Sequence, residues 1–257
     1  MRLDLEAAID SIWENAQQGI HYPDEWKGKF SLEQAYRVQL GVLKRHLEAG
    51  RQHICWKVGL TSKAMQEQQR AREPVFGFFL DGAAQPSGTR FKFDDLIRPA
   101  FENELCLTLG KALNGPGITA DQARAAIAAV APALEIPERR GEFGAELAMD
   151  VADGIQAKHF VAGAETRPLP AALDLGQTKV EVFINGERVD QAAGTAVMGN
   201  PAHSIAWLAN KLAEFDLQLE AGQRVMSGSF TKQYALGKGD HVEARFDPFG
   251  PVEALFE

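Results

Sequence analysis

The stretch Phe101-Glu102-Asn103-Glu104-Leu105-Cys106-Leu107-Thr108-Leu109 decides how the rest of the chain is read. Side chains alternate along a strand, so Phe101, Leu105, Leu107 and Leu109 share one face, while Glu102 and Glu104 share the other. The first set is a core face. Two carboxylates side by side within an apolar strand repel and lose hydration unless a cation sits between them. A solvated face bearing an E-x-E pair has the same pattern. Glu135 adds a third acid at the end of Val130-Ala131-Pro132-Ala133-Leu134, again inside an apolar strand. Three carboxylates with no histidine or thiol partner form an oxygen-rich set, suited to a hard cation such as Mg2+ or Mn2+ rather than zinc. Spacing alone does not make the two strands converge, and at this level the solvated-face and metal readings both stand.

Working outward, the pattern changes along the chain. In the first 50 residues, Ile9, Ile12 and Trp13 recur at helical spacing. Ser31-Leu32-Glu33-Gln34 opens a second helix with the stripe Leu32, Tyr36, Leu40, Leu43 and Leu47, ending at Ala49-Gly50. Strands and turns then take over. Ile54 to Leu60 reads as a buried strand, Thr119-Ala120-Asp121-Gln122 as a capping box opening an Ala-rich helix, and Asn185-Gly186 as a type I′ hairpin after Lys179 to Ile184. Asn200-Pro201 starts a helix whose Ile205, Leu208, Leu212 and Phe215 share a face, and strands return near Val225, Val242 and Val252. Helices followed by a mostly β body is an α+β pattern.

Composition narrows the function classes. Lys plus Arg number 27 against 35 Asp plus Glu, a net charge of −8 without a basic cluster, which excludes nucleic acid and anionic membrane surfaces as natural partners. The two cysteines, Cys55 and Cys106, sit among apolar residues and read as small buried hydrophobes; two alone cannot build a zinc site. The start Met1-Arg2-Leu3-Asp4-Leu5-Glu6 carries early acids and no apolar run, unlike a signal peptide, and no stretch approaches ~20 apolar residues. The expectation is a cytoplasmic, reduced protein.

Lys57 lies mid-strand between Trp56 and Val58, where a lysine is costly unless paired; an exposed edge lysine is the structural alternative. There is no G-x-S-x-G elbow for a serine nucleophile, and Gly237-Lys238-Gly239-Asp240 reads as a hairpin turn rather than a phosphate loop. His21, His46, His53, His159, His203 and His241 show no metal-ligand spacing and default to core or surface roles.

Over nearly its whole length the chain resembles the fumarylacetoacetate hydrolase superfamily, in its hydratase/decarboxylase branch. The carriers are Lys57-Val58-Gly59-Leu60-Thr61, Glu102-Asn103-Glu104, Pro132-Ala133-Leu134-Glu135-Ile136, Gly199-Asn200-Pro201 with Ala206 to Leu212, and Ser227-Gly228-Ser229-Phe230. The resemblance implies a mixed β-sandwich roll with the site in its mouth: residues 51–257 as the catalytic domain, residues 1–50 as a helical segment packing on it. It implies one Mg2+ or Mn2+ on Glu102, Glu104 and Glu135, and a small 2-hydroxydienoate or 2-oxo acid as substrate. Lys57 would contact substrate or carry a proton. Asp81 falls where relatives place an acid beside the substrate, although a turn aspartate explains it as well. Ser229 and Thr231 would offer hydroxyls to the substrate carboxylate, and a strand-to-turn transition explains that loop almost as well. Asp153 would be a distal substrate contact.

Two departures from the family pattern stand out. Relatives carry an A-D-N-A-S-like run where this chain reads Ala152-Asp153-Gly154-Ile155-Gln156, and Lys232-Gln233 stands where several hydratases have Arg-Pro. The implied activity is hydration of 2-oxopent-4-enoate-like acids in aromatic-compound catabolism, with 4-oxalocrotonate decarboxylation as the alternative. An acylpyruvate hydrolase is disfavoured because Thr61 to Val75 offers Glu67 and Glu73 but no histidine. A non-catalytic partner subunit is a further alternative. Relatives also imply a homo-oligomer and, with it, a complex with another enzyme of the pathway.

Overall fold

A computed structural model describes residues 3–141 and 146–257; Met1 and Arg2, part of the N-terminal stretch read above, lie outside them. Helices α1 (Leu5–Gln17) and α2 (Leu32–Glu48) come first, each opened by a side-chain cap, Asp4 for α1 and a Ser31–Gln34 capping box for α2. There follow β1 (His53–Gly59), α3 (Lys63–Gln68), β2 (Val75–Leu80), β3 (Ala84–Pro86), β4 (Thr89–Phe91) and the long β5 (Ala100–Leu109). Helix α4 (Ala120–Ala126), started by the Thr119–Gln122 capping box, runs straight into β6 (Ile127–Ile136). Then come α5 (Leu147–Ala152), β7 (His159–Ala162), β8 (Lys179–Ile184), β9 (Glu187–Ala193) and α6 (Pro201–Ala213). The chain ends with β10 (Arg224–Met226), β11 (Tyr234–Ala235), β12 (His241–Asp247) and β13 (Gly250–Phe256).

Among the described residues the strands form two mixed sheets. The larger runs β2-β1-β10-β5-β6-β7-β3, with β11 also paired to β5; the smaller runs β4-β13-β12-β8-β9. Most pairs are antiparallel, but β1/β10, β3/β7 and β4/β13 are parallel. The larger sheet is strongly curled: the Phe79 and Phe160 rings, on β2 and β7 near its opposite ends, lie 5.1 Å apart. Curling gives it an inner face, where Cys55, Phe79, Cys106, Ala131, Ala133, Phe160 and Met226 form one apolar cluster. Its outer face, with Phe101, Leu105, Leu107 and Leu134, packs in the main core with Val242, Phe246, Val252 and Phe256 of the smaller sheet. This is the mixed β-roll with N-terminal helices that the resemblance implies. Both cysteines are buried and unpaired in disulfides, as their apolar neighbours imply.

Two local readings are corrected. Helix α2 buries Ala35, Tyr36, Val38, Gln39, Val42 and Leu43, whereas Leu47 is 45% exposed. The buried face is rotated from the leucine stripe because α2 is wedged among α1, α5 and β2, and it includes a glutamine that hydropathy assigns to solvent. The Gln39 side chain reaches across that junction, its Nε2 donating to the carbonyls of Phe76 (3.0 Å) and Val151 (2.6 Å). The Gly237–Asp240 turn joins β11 to β12, which lie in different sheets, so it is an inter-sheet turn rather than a hairpin. Asn185 and Gly186, at φ +54° and +82°, do make the tight β8–β9 hairpin. No helix among the described residues is long and apolar enough to cross a membrane.

Replacing Gln39 by leucine keeps the volume but leaves two buried carbonyls without that donor. A loss of about 2–4 kcal/mol is expected in urea unfolding; an unchanged midpoint would show that the amide does not tie α2 to β2 and α5.

Candidate metal centre

The long antiparallel pairing of β5 with β6 makes the site. Its register sets Glu102 directly opposite Glu135 and Glu104 opposite Ala133, so all three carboxylates emerge on the inner face. One oxygen from each of Glu102, Glu104 and Glu135 lies within 4.8 Å of the other two. Glu104 and Glu135 are each 1% exposed. Like charges directly across a ladder are unfavourable in water and worse in an apolar interior. Partial compensation comes from Lys57 on β1. Its buried ammonium pairs with Glu135 Oε1 and donates to the carbonyl of Ile155 at 2.9 Å. Gly228 N–H donates to Glu104 Oε2 at 2.8 Å. That glycine is irreplaceable on two counts: its φ is +106°, and a Cβ would come within 2.4 Å of Thr61 Cγ2.

The compensation is incomplete. Glu135 Oε2 is buried without any hydrogen-bond partner. Burial, and secondly the facing Glu135, push the Glu102 carboxyl up to about 7, opposed by Lys57 and by a hydrogen bond from Gln233. Burial and then Glu135 and Glu102 push Glu104 well above the usual carboxylate range, opposed by Gly228 N–H and Lys57. Three carboxylates against one ammonium leave two negative charges and an orphaned oxygen, which is what a hard divalent cation with oxygen ligands satisfies.

Above the glutamates lies a cavity of about 380 Å3, bordered by Lys57, Glu102, Glu104, Ser229 and Thr231. The hydroxyl-bearing loop is hung on β5 by Asn103: its Nδ2 donates to Thr231 Oγ1 at 2.6 Å, and its carbonyl accepts from Phe230 N–H at 3.0 Å. The sequence reading assigns no individual role to Asn103 or Gln233, which enter it only within Glu102-Asn103-Glu104 and Lys232-Gln233. Asn103 sits on the core face of its strand, where an amide reads as a packing residue, and Gln233 stands out only as half of the Lys232-Gln233 departure from the family pattern.

Asp81 and Asp153 do not join this cluster. Both border a separate cavity of about 510 Å3. The β1/β2 pairing brings residues 51 and 52 beside the end of β2. Asp81 Oδ1 is thereby captured by Gln52 N–H (2.8 Å) and Arg51 Nε (2.9 Å), and these partners lower its pKa in that order. Asp153, at the end of α5, holds Arg140 Nε at 2.7 Å and faces His21 Nδ1 at 3.4 Å. Glu73 is likewise drawn away, bonded to Lys211 Nζ at 2.8 Å. None of the six histidines belongs to the glutamate cluster or borders its cavity.

The chain matches the model of the fumarylacetoacetate (FAA) hydrolase C-terminal family over residues 48–256. It belongs to that family. Among curated relatives of this family member, 4-oxalocrotonate decarboxylase of Pseudomonas sp. (strain CF600) is 34% identical, covering 98% of this chain and 97% of the relative. The 2-hydroxyhexa-2,4-dienoate hydratase of Comamonas testosteroni is 32% identical over 89% of this chain and 87% of its own length. Among solved structures, 4-oxalocrotonate decarboxylase from Pseudomonas putida G7, complexed with magnesium and adipate, superposes with a TM-score of 0.93. It is 30% identical and covers 100% of this chain and 99% of the neighbour.

The raised carboxyls link metal, pH and stability. A glutamate ionises near its ordinary value of 4.5 when unfolded, but Glu102 does so at about 7 in the metal-free fold. Between these values the folded state holds more protons at Glu102, so this carboxyl contributes less stability to the metal-free fold as pH rises through the window, while burial of His46 and His53, held down to about 4, acts in the opposite sense. The gain in thermal midpoint from added Mg2+ over EDTA, which isolates the carboxylates, is expected to be larger at about pH 8 than at about pH 5. Thermal melts with and without Mg2+ check this; an equal gain at both pH values would contradict the centre.

Proposed function

We propose that this FAA hydrolase family member is a divalent-metal-dependent lyase that adds water to 2-hydroxydienoic acids of the 2-hydroxypenta-2,4-dienoate type, giving 4-hydroxy-2-oxo acids in aromatic-compound catabolism. The observation that carries the reading is the triad of half-buried Glu102 with buried Glu104 and Glu135, with its orphaned Glu135 Oε2, beside a small cavity that Glu102 and Glu104 border. These three side chains hold the cation, Mg2+ or Mn2+. Once bound, it supplies Lewis-acid polarisation of a substrate's carboxylate and 2-oxygen.

The chain's own groups do the rest. Lys57 neutralises Glu135 and holds a proton at Nζ on the cavity wall, fixed in place by the Ile155 carbonyl. Thr231 Oγ1 accepts from Asn103 Nδ2 and donates to the Lys232 carbonyl at 3.1 Å, and Ser229 Oγ lies 3.5 Å from the Asn103 carbonyl; both residues border the cavity, where a substrate carboxylate would draw these hydroxyls from their backbone acceptors. Leu60 and Met65 border the cavity and give part of its wall an apolar lining. Overall, the dienol's 2-hydroxyl loses a proton and C5 gains one, giving the conjugated 2-oxo-3-enoate; a water oxygen then bonds to C4, and a proton arrives at C3. Asp81 and Asp153 act at most by holding the segments around them, since they border the other cavity.

Decarboxylation of a 2-oxohexenedioate is the second reading, favoured by the full-length likeness to 4-oxalocrotonate decarboxylases. It would use the same triad. We also propose that the chain works as a homo-oligomer, alone or with another enzyme of its pathway.

Freshly generated 2-hydroxypenta-2,4-dienoate and 2-oxohex-3-enedioate, each with Mg2+, Mn2+ or EDTA, separate the readings. Loss of the dienoate chromophore with formation of the 4-hydroxy-2-oxo acid, blocked by EDTA, is expected. Metal-dependent CO2 release from the diacid alone would establish the decarboxylase instead. Glu104→Gln is expected to lower turnover by more than ~100-fold while leaving the fold intact; wild-type rates from that variant without added metal would refute the ligand assignment. Light scattering on the same preparations reads the oligomer, and a monomer would contradict it.

A further inference from the structure

We propose that Ile155 forms the far wall of the glutamate cavity and thereby sets the substrate's distal end, restricting it to a short, uncharged group. The inference rests on the functional reading given above, and it follows from where two glycines and one isoleucine meet.

Strands β1 and β2 lie two and three places from β5 in the curled sheet, so their residues border the cavity on a different wall from the one that carries Glu102 and Glu104. The register pairs Lys57 with Gly77 and Gly59 with Val75, placing all four residues on the inner face. Two glycines there leave a hollow, and Ile155 fills it. A Cβ on Gly77 would fall 2.7 Å from Ile155 Cγ1, and one on Gly59 would fall 3.4 Å from Ile155 Cδ1. The isoleucine is 4% exposed and borders the cavity beside Gly59 and Val75.

The backbone that presents this wall is held in an unusual form. Gly154, Ile155 and Gln156 are consecutive left-handed residues at φ +84°, +47° and +62°. For a β-branched residue this conformation costs about 1–3 kcal/mol and persists only where its surroundings impose it. Here the side chain is trapped over Gly59 and Gly77 while the carbonyl is held by Lys57 Nζ at 2.9 Å. A wall pinned at both ends cannot swing aside for a longer substrate.

Charge points the same way. Among the described residues bordering the cavity, the cations are Lys57 and Lys232. Lys57 is committed to Glu135 and the Ile155 carbonyl. Lys232 lies over the Tyr234 ring at 5.1 Å, and Tyr234 pairs with Phe101, next to Glu102, so this lysine stands on the metal side. The lining around Ile155 consists of Leu60, Met65 and Val75 together with the uncharged polar residues Thr61, Ser62 and Gln156. A second carboxylate placed there would meet neutral polar groups but no cation, which disfavours burying its charge.

Calorimetric titration of the Mg2+-loaded protein with 2-oxopentanoate, 2-oxohexanoate, 2-oxoheptanoate and the diacid 2-oxohexanedioate tests this without turnover. Wild-type affinity is expected to fall about 10-fold or more from the shortest to the longest monoacid, with the diacid below its monoacid of equal length. Ile155→Ala is expected to recover about 10-fold or more for the longest acid relative to the shortest, and Ile155→Val a smaller part of that, with kcat/KM on the matching dienoates shifting in parallel. The valine variant keeps the test valid should the alanine variant fold poorly. Equal effects on all chain lengths in both variants, or a diacid bound at least as tightly as the monoacid, would overturn the proposal. Chain-length-ordered binding without hydration of any dienoate would sink the hydratase reading and leave this one standing.

Discussion

The placement of Glu102 opposite Glu135 in the β5/β6 ladder is the constraint on which the rest of the structure depends. A pairing that sets two carboxylates face to face, with Glu104 one step along, is disfavoured by every local term: repulsion, desolvation and an oxygen left without a donor. Much of the surrounding architecture offsets that cost. The sheet curls far enough for Lys57, on a strand outside the β5/β6 pair, to reach Glu135, and the chain returns after β10 so that the Gly228 amide reaches Glu104. What these contacts leave uncompensated has the charge and ligand chemistry of a divalent oxygen site.

The curl also explains how one sheet serves as both core and site. Its inner face is acidic at one end and apolar further along, where Cys55, Cys106, Met226, Phe79 and Phe160 close the interior. The cavity is therefore a pocket with a floor rather than a channel through the roll. Its outer face is an ordinary sandwich core against β12 and β13. Function is confined to the mouth, where three loops from distant parts of the sequence, around residues 60, 155 and 229, converge.

Much of this was legible in the sequence, and the physical reasons for the misses are specific. Alternation in β5 identified the acidic face directly, because a period of two is unambiguous over nine residues. Capping boxes at Ser31 and Thr119 fixed helix starts for the same local reason. The α2 stripe failed because tertiary packing on three sides rotated the buried face and required a buried amide, Gln39, that no hydropathy pattern marks. Asp81 and Asp153 are separated from the glutamates by hydrogen bonds to Arg51, Gln52 and Arg140, contacts set by strand register and by the end of α5. The Gly154-Ile155-Gln156 departure was visible as a departure only. Its meaning lies in backbone angles and in two glycines on neighbouring strands.

The account stands or falls on a single ion held by the three carboxylates. Titrating metal-free protein with Mn2+, and counting free ion by loss of its aqueous paramagnetic resonance signal, measures that directly. The result expected is one ion bound per wild-type chain, with that site lost in Glu135→Gln and in Glu102→Gln although both remain folded. Stoichiometric binding that persists unchanged in both variants would place the metal elsewhere and contradict the account.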